Sequence, residues 1–178
     1  GKNIELKKPW KKLTMKDSIK KYLKINVDKL NDEEIKDYLR NNNIEYEGEF
    51  NRGLATELIF ESLVQDKLIQ PIFIIDHPRE TTPLCKPKRG DNNIIERLEP
   101  YINGWEIGNG YSELNDPILQ RELLEKQAKQ RIVEEENHPV DEDFIMALEY
   151  GMPPTGGLGI GIDRLAMILT DSQSIRDV

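Results

Sequence analysis

Between Gly156 and Leu169 the chain reads Gly-Gly-Leu-Gly-Ile-Gly-Ile-Asp-Arg-Leu-Ala-Met-Ile-Leu. Leu158, Ile160 and Ile162 alternate with Gly157, Gly159 and Gly161, the period of a strand with one apolar face and one bare face. Glycine weakens a strand unless something must lie against the backbone. The bare side therefore asks for a flat ligand or a crossing chain. Asp163 suits a helix N-cap, with Arg164 in the first turn and Leu165, Ile168 and Leu169 at helical spacing. A cation there opposes the helix dipole, an arrangement that a bound polyanion offsets. The spacing alone admits two readings: a phosphate-recognising strand–helix unit, or a buried strand followed by a surface arginine. Neither G-x-G-x-x-G nor Gly-Lys-Ser/Thr occurs, so the dinucleotide fingerprint and the P-loop do not apply.

A second segment carries the polar chemistry. Asn103-Gly104 is a hairpin signal and predicts strands over 94–103 and 104–114. Glu106, Asn109, Tyr111 and Glu113 fall in the second of these. Two carboxylates can hold Mg²⁺ together with substrate phosphates. They can also hold an ammonium group, or be solvated acids on an exposed strand. Glu106 and Glu113 are seven apart, which sends them to opposite faces of a regular strand. Gly108 and Gly110 flank Asn109, and a bulge between residues 107 and 111 brings both acids to one side. The shared-site reading requires that bulge.

The rest of the chain supplies a scaffold. Its 178 residues are enough for one domain, with residues 1–67 helical and 68–178 forming the sheet. Thr14 and Asn31 are placed to cap two helices, and Leu54, Leu58, Ile59 and Leu63 stripe a third over 52–67. The lysine-rich start is a solvated end or, alternatively, a nucleic-acid contact. The run Pro71 to Asp76 reads as a buried strand closed by His77-Pro78, and 79–93 as a polar loop. A polar helix is expected from Pro117 to about Glu136, broken by Asn137-His138-Pro139. Asp141 caps a short helix through Tyr150. The net charge of −8 argues against the chain being a nucleic-acid surface in its own right. Cys85 is the single cysteine, so no internal disulfide is possible and a reducing, cytoplasmic compartment is expected. No apolar run reaches membrane-spanning length, and no membrane partner is expected.

Gly157 to Arg164 resembles motif 3 of the class II aminoacyl-tRNA synthetases. The runs Asp141-Glu142-Asp143-Phe144, Glu149 to Thr155, Thr170-Asp171-Ser172, Ser174 to Val178 and Asn103 to Pro117 are similar to the lysyl-tRNA synthetases in particular. Pro83-Leu84-Cys85-Lys86 follows the same pattern, with cysteine at a usually small position. The resemblance implies an α+β fold, a partial class II synthetase-like antiparallel sheet flanked by helices. It implies that Glu106 binds Mg²⁺ at the ATP phosphates and that Glu113 contributes to metal, ATP or the lysine ammonium. Asn109 would hold the backbone end of lysine, with Tyr111, in place of the usual Phe, along its side chain. Gly159 and Gly161 would floor the lysine and adenosine pockets, and Arg164 would be the catalytic arginine at the ATP. Glu96-Arg97-Leu98-Glu99 resembles the family's Glu-Arg-Phe-Glu, with Leu for Phe as a packing change.

In that family lysine and ATP form lysyl-adenylate, and lysine then passes to the 3′ end of tRNA without a covalent enzyme intermediate. The work is positioning and charge neutralisation. Counterparts of motifs 1 and 2 and of the anticodon-binding barrel are not found. The one Arg-x-Glu, Arg97-Leu98-Glu99, belongs to another part of the family pattern. The expectation is therefore the C-terminal part of a catalytic domain that retains half of an active site. The alternative is a binding module that pairs with a second copy, or with a synthetase, through an open sheet edge.

Overall fold

Three capped helices open the fold. A computed structural model describes residues 2–130 and 140–178. The Thr14 hydroxyl accepts from the Asp17 amide and starts α1 (Met15–Leu23). Asn31 starts α2 (Asp32–Asn41) through a reciprocal capping box with Glu34. Asn51 caps α3 (Arg52–Leu63), and a 3-10 turn at Gln65–Lys67 ends this helical stretch. The lysine-rich start is more than a solvated end. Its exposed lysines flank and occupy β1 (Lys11–Thr14), which pairs in parallel with β2 (Ile72–Pro78).

The sheet continues with β3 (Pro87–Lys88), β4 (Asp91–Ile102), β5 (Trp105–Glu106), β6 (Gly108–Ser112) and β7 (Gly156–Ile160). Its order is β1-β2-β4-β6-β7, with β3 and β5 also pairing with β4. Every pairing but β1–β2 is antiparallel. Asn103 and Gly104 both have positive φ, 56° and 80°, the backbone of a type I′ turn that matches the twist of the flanking strands. The polar loop expected over 79–93 thus contains a short strand and the start of β4.

The core lies where α1, α2 and α3 cover β2 and the hairpin end of β4. Met15, Ile19, Ile35, Ile59, Phe60 and Ile74 are buried there with Tyr101. Phe60 meets Tyr101 edge-on, with ring centroids 5.7 Å apart, which seats α3 over β4. Beyond this core, α4 (Pro117–Gln130) and α5 (Glu142–Glu149) are joined by the Arg121–Glu142 ion pair. The expected continuation of α4 towards Glu136 and the break at Asn137-His138-Pro139 lie outside the described residues. Among the described residues no helix is long and apolar enough to cross a membrane.

One expectation for the glycine segment changes, and the alternative of a buried strand falls. The helix after it, α6 (Ile162–Thr170), has Gly161 as its N-cap with no side-chain bond, and Asp163 sits inside the first turn. The Gly161 amide donates to the Ile107 carbonyl at 3.0 Å. That bond ties the strand end to the neighbouring hairpin, and the helix starts there. The strand is also not buried. Leu158 is 64% exposed and Ile160 53%, because β7 is the last strand of the sheet described here.

Candidate functional site

The strand register decides which side chains share a face. Glu106 stands opposite Tyr101, while Gly110 stands opposite Leu98 and Tyr111 opposite Arg97. Tyr101 to Leu98 is three steps along β4, but Glu106 to Gly110 is four along the facing run. One extra residue is therefore inserted between Glu106 and Gly110, the bulge that the flanking glycines predict. Cross-strand partners point to the same side. Arg97, Glu99, Tyr101, Glu106, Asn109 and Tyr111 thus occupy one face. Gly157 and Gly159 stand opposite Tyr111 and Asn109 and leave bare backbone on it. Leu158 and Ile160 point to the other side.

Glu113 is held where β6 ends. Its amide donates to the Thr155 carbonyl at 2.9 Å, and residues 84–86 bond to Ser112 and Leu114 on its other flank. A Cβ on Gly157 would overlap Glu113 Oε1, so the carboxylate lies across that glycine. A Cβ on Gly159 would meet nothing nearer than the Asn109 carbonyl at 3.8 Å, so room remains above the strand beside Asn109. Cys85 is buried, and burial pushes its thiol up to about 11, which makes it a packing residue rather than a nucleophile.

The Glu106 end is built differently. Arg164 Nη1 donates to the Glu106 carbonyl at 2.7 Å and lies 3.9 Å from its Oε2. This bond draws the first-turn arginine of α6 back over the sheet, alongside Gly161. Glu106 and Glu113 share a face but sit at opposite ends of the bulged run. At about 3.3 Å per residue their Cα atoms are roughly 20 Å apart, out of reach of one Mg²⁺ with bonds of about 2.1 Å. The structure does not bring this pair together as ligands of a single ion. The carboxylate nearer to Glu106 is Glu99, its diagonal neighbour on β4. Among the described residues no group of three or more His, Cys, Asp and Glu is placed to hold a metal.

Between the two ends lies a charge network of residues outside the predicted site. Arg97 is paired with Glu99, lies 3.6 Å from Glu57 on α3, and donates from Nε to Asn109 Oδ1 at 3.2 Å. Its guanidinium carbon is 5.7 Å from the Tyr111 ring centre. Asn109 Nδ2 donates to Glu99 at 3.4 Å, and the Tyr101 hydroxyl donates to Glu99 at 2.9 Å. Burial, and then the nearby Glu61, push the Glu57 carboxyl up to about 7, against the pull of Arg97. Burial also raises Glu99. Glu57, Glu61 and Glu99 thus gather around one guanidinium, and burial favours the neutral form of each. The signals for these residues were local: Arg97 and Glu99 alternate along a strand, and Glu57 and Glu61 stand one turn apart in an apolar helix.

Glu106, Asn109, Tyr111 and Glu113 line neither of two hollows elsewhere on the surface. These hollows, of about 800 and 560 Å³, lie one beside Leu39, Tyr46 and Phe50, the other beside Thr81, Asn93 and Leu123.

A mainly antiparallel sheet ending in a glycine strand and an arginine-bearing helix, with acids and an asparagine on the bare side, is the arrangement of a class II synthetase. Residues 1–178 match the family model of the class II tRNA synthetases (D, K and N), and the chain belongs to that family. Within it, the chain is similar to lysine–tRNA ligases. It is 50% identical to that of Sulfolobus acidocaldarius over 95% of this chain and 34% of the relative. It is 51% identical to that of Chlamydia caviae over 98% and 34%, and 46% identical to that of Clostridium novyi over 100% and 36%. The chain spans about a third of the length of the curated relatives it matches.

Proposed function

We propose that this chain supplies part of a lysine–tRNA ligase active site, binding lysine and ATP–Mg²⁺ for lysyl-adenylate formation and, in the complete enzyme, for transfer of lysine to tRNA. The observation that carries the reading is the division of one bare-backed face into two ends. At one end Glu113 lies across Gly157 with Tyr111 beside it. A carboxylate and an aromatic ring suit an ammonium on an alkyl stem. At the other end Arg164 and Glu106 meet, a cation for phosphate and an oxygen donor of the type Mg²⁺ takes from protein while keeping phosphate and water ligands. Glu106 is half-buried and presents its carboxylate on the site face, which fits a metal that arrives with the nucleotide. Mg²⁺ would supply neutralisation of phosphate charge. Asn109, between the two ends, would meet the carboxylate that becomes the acyl group. Gly159 and Gly161 leave the strand low enough for a flat ligand.

The reactants are charged, and the chain's own part is to hold them in line and offset charge. Calorimetric titration of the chain with lysine and with ATP–Mg²⁺ tests this. Saturable binding of either supports it. A stable oligomer that binds neither overturns it in favour of the second reading, a module that pairs through its sheet edge. That reading draws on the open side of β7 and on Leu158, Ile160 and Ile162, all more than half exposed.

A further inference from the structure

We infer that Arg97 is a positioning residue that sets the orientation of the Asn109 amide and of the Tyr111 ring for the amino-acid substrate. The assignment of Asn109 and Tyr111 to that substrate rests on the function proposed above; the orientation itself follows from the chemistry of the donors. A guanidinium only donates, so the amide atom facing Arg97 Nε at 3.2 Å must be Oδ1. An ionised carboxylate only accepts, so the amide atom facing Glu99 at 3.4 Å must be Nδ2. Turning the amide over would set donor against donor and acceptor against acceptor. The amide is thereby locked with a second Nδ2 hydrogen that Glu99 does not take. That hydrogen suits the carboxylate of an α-amino acid.

Arg97 can do this because it is itself held on every side. Glu99 pairs with it from its own strand, Glu57 stands 3.6 Å away on α3, and Thr81 accepts from Nη1 at 3.4 Å. Its planar fork also lies over Tyr111, with the guanidinium carbon 5.7 Å from the ring centre. A lysine at this position carries a point charge on a flexible stem and has no Nε–H fixed in the plane of the fork. The deletion of this one group therefore frees two residues of the site without touching a ligand.

The test uses the side-chain amide resonances of Asn109 in the ligand-free chain, recorded by nitrogen-resolved NMR for the wild type, Arg97→Lys and Arg97→Gln. The two amide protons of Asn109 are expected to be well separated in the wild type. In both variants they are expected to move towards the positions of a free amide, while backbone amides of β2 and α1 stay in place. Arg97→Lys, which keeps the charge between Glu57 and Glu99, is the deciding variant. Unmoved Asn109 resonances in Arg97→Lys overturn the inference. Loss of the fold in both variants also overturns it, since Arg97 would then be structural. Where lysine binds, Arg97→Lys is expected to weaken it about tenfold, the loss of one charge-assisted hydrogen bond, with ATP–Mg²⁺ affinity changed less than about twofold. A failure of the wild type to bind lysine would bear on the proposed function alone, because the amide readout needs no ligand.

Discussion

Glu113 illustrates how much a single position can depend on its neighbour. Its carboxylate crosses the sheet over a residue with no side chain, and no larger residue at 157 leaves that path open. Glu113→Gln keeps the shape and removes the charge. Lysine affinity should fall by about 10- to 100-fold, the loss of an ion-paired hydrogen bond, while the unfolding free energy from urea titration should change by less than about 1 kcal/mol. Unchanged lysine affinity would count against the amine end of the site. Glu57 tests the buried network instead. Its carboxyl is pushed from 4.5 to about 7, first by burial and then by Glu61. The folded chain therefore holds this proton more tightly than the unfolded chain does. The resulting stability is full below about pH 4.5 and is lost as pH rises through about 7. Glu57→Gln should thus gain on the wild type between about pH 4 and pH 8, by on the order of 1–3 kcal/mol. Denaturant unfolding of both proteins at the two pH values measures it. His77 moves the other way, since burial holds its imidazole down at about 3 and so uncharged. Its place in a strand-closing His-Pro pair says nothing of that burial.

At the scale of elements, capping and turn chemistry were plain in the residues. Asn31 and Glu34 satisfy each other's backbone amides at the start of α2, with bonds of 2.9 and 2.7 Å. Asn31→Ala should lower stability by about 1 kcal/mol, read from thermal or urea unfolding, because the Glu34 amide at the helix start loses its side-chain acceptor. The Asn103-Gly104 turn, the bulge between Glu106 and Gly110 and the glycine strand were likewise legible, each from a pattern a few residues long. The start of α6 was not. Asp163 is a good capping residue by type, yet Gly161 takes the position because its amide is bonded across the sheet to Ile107. β1 was missed for a similar reason. A four-residue strand rich in lysine has no apolar alternation of its own and exists through pairing with Ile72 to Ile75.

For the whole molecule the uneven distribution of the core matters most. The helices and β2 enclose a continuous apolar interior, whereas β7 and α6 present Leu158, Ile160, Ile162 and Leu169 to solvent. An unpaired strand edge beside exposed apolar side chains is a template for association. The chain should therefore self-associate with rising concentration, and Leu158→Lys combined with Ile160→Lys should shift the equilibrium towards monomer. Sedimentation velocity over a range of concentrations measures both, and an unaffected association would place the contact elsewhere.

The order of residues along the chain was sufficient for the local units and for the family, because helix caps, a type I′ turn and a glycine-alternating strand act over fewer than about ten residues. It also predicted that Glu106 and Glu113 could share a face. Only the folded sheet decided that they stand at opposite ends of it, and that Glu57, Arg97 and Glu99 gather around Asn109 from a helix and a neighbouring strand. Those outcomes depend on long-range register and on which strand lies at the edge, and pairing between distant segments sets both.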